Sequence, residues 1–457
     1  MDYLRIYFFT YNCALSLIDV DHFSAHFFDA YPTENTTSNS STNTNSPSTP
    51  PDLIVVSLQE VAPLAYSFLG GSFLTPYFAS YASAIDRATI SKWDTQYVNI
   101  LSEHSGMTAQ MVFARSDIVD HLSPPEIAKV GFGVQEIGNK GAVASRVSYR
   151  SGREEGEGKG VDLTLVAAHL APMEDAVKRR NEDWRSMVER LVFGGEDTDG
   201  KRDDENENEE SEALLGGSSS SGSDGKYPGI YAPSRYLFVG GDLNYRTADR
   251  FPTPGDKHKF PRADAEPDDP LHFTQLLKDD QLKREMGQSR CFHGLTEAAI
   301  TFPPTYKYHH KAQAAARNPV EPDSGPEWKW TSHRWPSWCD RILFLDTPPG
   351  LGQEAKVEVL NYDALPVSPT SDHRPVALTV DVPVVERKDA GEPQTIAPAP
   401  FSIDPDWARR RAVAEKKEYV VGCLAYLGLT WEGNALALAS AVAILGTWFV
   451  LRSLLSS

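Results

Sequence analysis

Residues 236–246 read YLFVGGDLNYR. A strand-length apolar run, Tyr236–Val239, enters a Gly-Gly pair, and Asp242 and Asn244 stand two apart just beyond it. Such a run reads as a buried strand, and the polar pair falls where the strand gives way to a loop. Strand ends in α/β folds are where functional side chains are usually mounted. The pattern recurs along the chain. FFTYNCAL contains Asn12, LIVVSLQE ends on Glu60, and LTLVAAHLAP places His169 after an apolar run. PSWCDRILF carries Asp340, and SPTSDHRPV sets Asp372 and His373 just before a further strand.

Working outward, strands are expected at Leu53–Leu58, Ala142–Val147, Leu163–Ala168, Ile342–Leu345 and Val376–Val380. Helices are expected at Met173–Leu191 and Phe273–Met286. These elements describe an α/β chain over residues 1–383, a single catalytic domain. Polar low-complexity insertions at 33–51 and 194–226 interrupt it, being too poor in apolar residues to bury a core. A charged, proline-containing linker is expected over 384–418 and a membrane anchor over 419–457.

The chain has 457 residues, 40% of them hydrophobic, and a formal charge of −19. Such an acidic balance argues against a general nucleic-acid binder. Much of it is local: residues 195–212 hold ten acidic and two basic side chains, a solvated run. The four cysteines form no CxxC pair, which disfavours structural zinc. Residues 435–451, ALALASAVAILGTWFVL, carry no charge and lie between Glu432 and Arg452. As a helix they would span about 26 Å, enough for a thin bilayer. Arg409, Arg410, Arg411, Lys416 and Lys417 precede them, as expected on the cytosolic side.

Taken singly, each polar island has a bland reading. Glu60 could be a cap, His169 a structural histidine, and Asp-Leu-Asn an ordinary Asx-turn. Their joint occurrence in order points instead to one site. Oxygen donors without Cys or His pairs suit Mg²⁺, and an Asp partner would favour a cationic His. The set suggests metal-assisted attack of water on a phosphate.

The ordered motifs YN, LQE, GNKGAV, AHLAP with RRNEDW, GDLNYR, PPTYKY, WCDRILF and SDHRPV resemble the inositol polyphosphate 5-phosphatases. That family belongs to a wider group with the DNase I-like endonucleases and neutral sphingomyelinases. The resemblance covers most of residues 1–383. It implies a four-layer α/β sandwich of two packed mixed β-sheets flanked by helices, followed here by a C-terminal transmembrane helix. It also implies roles. Glu60 would bind Mg²⁺ with Asn12 close by, and Asp372 would support the metal and its waters. Asp242 would position or deprotonate the attacking water, and Asn244 would bind the scissile phosphate. His373, oriented by Asp340, would stabilise phosphate charge, and His169 would contact the phosphoryl group or leaving oxygen. Lys307, Tyr308 and Arg334 would contact a neighbouring 4-phosphate, with Lys140 adding positive charge. Ala14 and Ala168 depart from the usual Asn and Ser of the pattern.

The function this implies is hydrolysis of phosphatidylinositol 4,5-bisphosphate to phosphatidylinositol 4-phosphate by a tail-anchored enzyme on the cytosolic face of the endoplasmic reticulum. Rival readings are a soluble inositol polyphosphate 5-phosphatase, a sphingomyelinase-like phosphodiesterase, and a catalytically silent phosphoinositide-binding module. Residues 67–78, SFLGGSFLTPYF, read equally as a lipid-touching loop or a packed one.

Overall fold

The computed structural model describes residues 3–32, 49–151, 158–194, 228–317, 328–386 and 399–456. Most of both expected insertions lies outside these residues. The chain begins with β1 (Tyr3–Asn12), α1 (Val20–His26), β2 (Leu53–Gln59), α2 (Leu64–Leu69) and α3 (Thr75–Trp93). It continues through β3 (Tyr97–Ser105), β4 (Thr108–Arg115), β5 (Glu126–Gly131), β6 (Gly141–Arg150), β7 (Lys159–His169) and α4 (Val177–Arg190). Next come β8 (Arg235–Asp242), α5 (Phe273–Leu277), α6 (Gln281–Gly287), α7 (His310–Arg317), β9 (Asp340–Phe344), β10 (Glu358–Ala364), β11 (Val376–Pro383) and β12 (Val385–Glu386). Two helices follow, α8 (Trp407–Leu429) and α9 (Trp431–Leu455).

The strands form two mixed sheets, ordered β10-β11-β1-β2-β4-β3 and β5-β6-β7-β8-β9, with β12 on β7. Alternation along β1 explains the layering. Leu4, Ile6 and Phe8 enter a core shared with Leu163, Leu165 and Phe238 of the second sheet. Tyr7, Phe9 and Tyr11 point the other way, into a cluster with Phe23 and Phe27 of the α1 region and Tyr81 of α3. A third cluster packs Trp184, Met187 and Val188 of α4 on the outer face of the second sheet. Successive strand residues face opposite sides, so a strand buried on both faces is apolar throughout. The sheets approach closely at Gly240, where a Cβ would fall 2.3 Å from the Phe8 ring.

Each sheet has one parallel pair near its centre, β1/β2 and β7/β8. Parallel strands end side by side, so Asn12 pairs with Gln59 and His169 with Asp242. Asp340 opens antiparallel β9 opposite Asp242, and His373 precedes β11 beside the end of β1. The topology therefore delivers all six polar islands to one edge of the sandwich.

Some boundaries differ from expectation. The helix expected at Met173 starts at Val177, because Met173 has φ +78°. The helix expected over Phe273–Met286 is broken at Asp280, whose carboxylate caps α6 and accepts from buried Arg341 at 3.0 Å. The expected division between linker and anchor at 418/419 falls inside α8, and the apolar segment expected at 435–451 belongs to the longer α9. Helix α9 is the one helix among the described residues long and apolar enough to cross a membrane, and its most apolar window is not buried against the protein.

Candidate active site

Asp242 lies at the centre of the convergent strand ends and is 2% exposed. Its Oδ2 accepts from Asn12 Nδ2 at 2.9 Å and lies 3.4 Å from His169 Nε2. Its Oδ1 accepts from the Asn244 amide at 3.1 Å. Burial alone would raise the Asp242 pKa. The hydrogen bond to His169 and the nearby charge of His373 outweigh it and hold the carboxyl well below the usual range. Burial and Lys140 push the His169 imidazole down, which keeps it neutral near neutral pH.

His373 is the complementary charge. Its Nδ1 donates to Asp340 Oδ2 at 2.9 Å, and its Nε2 faces Asp242 Oδ2 at 4.0 Å. Burial opposes the cation, but Asp340, Asp242 and Asp372 prevail and raise the pKa to about 9. Asp340 Oδ2 also accepts from Thr305 Oγ1 at 2.6 Å, which fixes it behind the ring. Ser371 Oγ donates to the Asn12 carbonyl at 2.6 Å and accepts from the His373 amide at 3.1 Å. The loop before β11 is thereby pinned to the end of β1.

Asn244 sits at φ +57° and Glu60 at φ +49°. Non-glycine residues in this region cost free energy and gather at functional sites. Asn244 Nδ2 donates to the Leu170 carbonyl at 3.1 Å, and its Oδ1 accepts from the Arg246 guanidinium. Glu60 is more open: its carboxylate lies 3.5 Å from Lys140 Nζ and 4.0 Å from His169 Nε2. Among the described residues it accepts no side-chain hydrogen bond. A partly exposed carboxylate with no side-chain hydrogen bond suits a hard divalent ion that keeps its waters. Asp242, Asp340 and His373 also bring ligand-type atoms within 4.8 Å of one another. The cationic imidazole offsets one of the two carboxylates in that buried cluster, whereas Glu60 is the more exposed carboxylate and could hold a metal ion with its waters.

The expected substrate contacts are less uniform. Lys307 forms an ion pair with Asp372, so that carboxylate is shared between its expected metal role and a lysine. Arg334 lies 4.0 Å from Glu174 and over the Phe251 ring. Both Glu174 carboxylate oxygens are buried without a hydrogen-bond partner. Tyr308 departs from expectation: it is 1% exposed, and its hydroxyl donates to the Pro304 carbonyl at 2.9 Å. Tyr306 is the ring that meets His373, at 4.5 Å. Arg246 went unremarked in the sequence, although it stands in YLFVGGDLNYR. Its buried guanidinium lies over Tyr306, holds Asn244, and leaves Nη1 without a partner.

The site thus combines a strongly ionised carboxylate, a cationic imidazole, a neutral one, and an open carboxylate. Such a set can orient water, neutralise an anion and bind a hard ion.

The family profile Endonuclease/Exonuclease/phosphatase family 2 matches residues 9–379. Type I inositol polyphosphate 5-phosphatase 13 of Arabidopsis thaliana is 27% identical over 354 residues, covering 71% of this chain and 27% of its own length. The type II inositol 1,4,5-trisphosphate 5-phosphatase of Mus musculus is 28% identical over 277 residues, covering 60% of this chain and 21% of its own. The chain therefore spans about a quarter of the length of these relatives. Among solved structures, the inositol polyphosphate 5-phosphatase domain of SPsynaptojanin, in complex with inositol (1,4)-bisphosphate and calcium ion, is similar with a TM-score of 0.54. The identity is 20%, over 92% of this chain and 90% of that one, a likeness of fold.

Proposed function

The chain belongs to the endonuclease/exonuclease/phosphatase family 2, among homologues of the inositol polyphosphate 5-phosphatases, and on that premise we propose that it removes the 5-phosphate of phosphatidylinositol 4,5-bisphosphate. The product is phosphatidylinositol 4-phosphate. The observation that carries the reading is the ionised Asp242 facing cationic His373 at 4.0 Å.

A carboxylate held as low as Asp242 is a weak base, so its role is to orient the attacking water. Asn12 and His169 hold its Oδ2 and the Asn244 amide holds its Oδ1, which fixes the carboxylate that would orient the water. His373 brings positive charge to the phosphoryl oxygens, and Asn244, held by Arg246, offers its amide to the same group. This is catalysis by positioning and electrostatics, the kind phosphoryl transfer requires. Glu60 would hold Mg²⁺, with Asn12 and Asp372 in support. Bound there, the ion supplies charge against the phosphate oxygens. Lys307, Arg334 and Lys140 are cations suited to a neighbouring phosphate.

The lipid form of the substrate is supported by α9. Its 25 residues reach about 38 Å, enough to span a bilayer with tilt. We place the domain on the cytosolic face of the endoplasmic reticulum, whose thin bilayer suits the uncharged stretch at 435–451. Anchoring raises the effective concentration of headgroups at the site.

The test is phosphate release by the full chain in vesicles containing phosphatidylinositol 4,5-bisphosphate, with and without Mg²⁺, and with the lipid product identified. Mg²⁺-dependent formation of phosphatidylinositol 4-phosphate is expected. Phosphocholine release from sphingomyelin instead, or no release at all, would overturn the reading.

A further inference from the structure

Helix α8 does not hang free between domain and anchor. Its inner face presents Ala414, Gly422 and Ala425, all buried. At Gly422 a Cβ would come within 2.9 Å of the Phe68 Cβ, so the helix lies directly on α2. Tyr426 extends the contact to the Phe73 ring at 5.4 Å. These small residues permit close backbone approach, which a larger side chain would prevent.

Two further contacts reach a loop beside the active site. Arg410 pairs with Glu136, which Arg190 also holds at 3.1 Å. Glu418 Oε1 accepts from the Gly138 amide at 2.8 Å. Residues 132–140 need such restraint, since Gln135 and Glu136 both adopt positive φ, 56° and 69°. Backbone bonds continue inward from there. The Gly138 carbonyl accepts from Met107 at 2.9 Å, and the Met107 carbonyl accepts from Val61 at 3.2 Å. Val61 follows Glu60, and Lys140, two residues beyond Gly138, is the cation 3.5 Å from the Glu60 carboxylate.

We propose that α8 is a positioning strap for the catalytic centre, in which Glu418 and Arg410 hold the 132–140 loop so that Lys140 and Glu60 keep their mutual geometry. Glu418 is a positioning residue and touches no substrate. The segment leading into α9 thus becomes part of the machinery that sets the site, in addition to being a tether. The catalytic half of this proposal rests on the phosphatase reading; the structural half does not.

The experiment compares full-length wild type with Glu418→Ala, Glu418→Gln and Gly422→Leu in vesicles. Hydrogen exchange is followed at Gly138, Met107 and Val61, and turnover is measured on water-soluble inositol 1,4,5-trisphosphate. Losing a hydrogen bond to a charged group should speed exchange at these amides roughly tenfold and lower kcat by a similar factor, with KM little changed. Glu418→Gln keeps an acceptor oxygen and should stay within about twofold of wild type. Gly422→Leu levers the helix off at a distant point and should reproduce the Glu418→Ala phenotype, which guards against a folding defect peculiar to one variant. Unchanged exchange at Met107 and Val61 in both disruptive variants would overturn the strap. Faster exchange with unchanged kcat would overturn its positioning role. A wild type inactive on every inositol phosphate would overturn the phosphatase reading and the positioning role with it, while exchange would still decide whether α8 holds the loop.

Discussion

His373 Nε2 stands 4.0 Å from Asp242 Oδ2 while its Nδ1 lies 2.9 Å from Asp340 Oδ2. The two carboxylates belong to neighbouring strands of the second sheet, and the imidazole comes from the loop before β11 of the first. One cation therefore joins the two sheets at their functional edge, and its charge is set by residues on both.

Asp340→Asn removes the anion that holds the His373 proton. An opposite charge this close favours the cation by a pKa unit or more. Turnover of phosphatidylinositol 4,5-bisphosphate at neutral pH should fall about 10²-fold or further, and the alkaline limb of the pH profile should move down by about one unit. A profile superimposable on wild type would refute the assigned role of the pair.

Stability should also depend on this histidine. Its pKa is about 9 in the folded protein against 6.5 for the free side chain. A folded value above the unfolded one means that the contribution is complete below about pH 6.5 and is lost as pH rises through about 9. Its size is on the order of 3 kcal/mol. Thermal denaturation from pH 6 to 10 should show a decline in Tm that His373→Gln flattens; the same decline in both proteins would exclude His373 as its source.

Glu60→Gln keeps the shape of the side chain and removes its charge. Half-maximal activation should then need at least roughly tenfold more Mg²⁺, read from phosphate release across a metal titration. An unaltered Mg²⁺ requirement would move the ion away from Glu60.

Deleting residues from Trp431 onward removes α9 and leaves α8 intact. Turnover of inositol 1,4,5-trisphosphate should be preserved, while turnover of vesicle lipid should drop by about 10² or more as the effective concentration is lost. Equal losses on both substrates would mean that α9 supports the fold.

Much of the site was legible because it follows strands. Asp242, Asn244, Glu60 and His169 end buried apolar runs, and the parallel pairs β1/β2 and β7/β8 carry those ends to one edge. The motif around Tyr308 does not disclose that its ring is buried and its hydroxyl turned to Pro304. The segment around it is held by isolated bridges, Tyr306 to both Ser337 and His373, which no periodicity announces. In such a segment only the fold decides which tyrosine faces the site. Arg246 was hidden by its own motif, because the buried partner that gives it meaning, Tyr306, lies far along the chain. The docking of α8 left no hydrophobic stripe to read, since its contact residues include Ala414, Gly422 and Ala425.

A single residue, Thr430, separates α8 from α9. With α8 fixed to the catalytic body and α9 in the bilayer, there is no slack with which to swing toward an opposing membrane. Under the proposed anchoring the enzyme works in cis. Its turnover is then supplied by headgroups that drift past within its own leaflet, and lateral lipid diffusion sets its range.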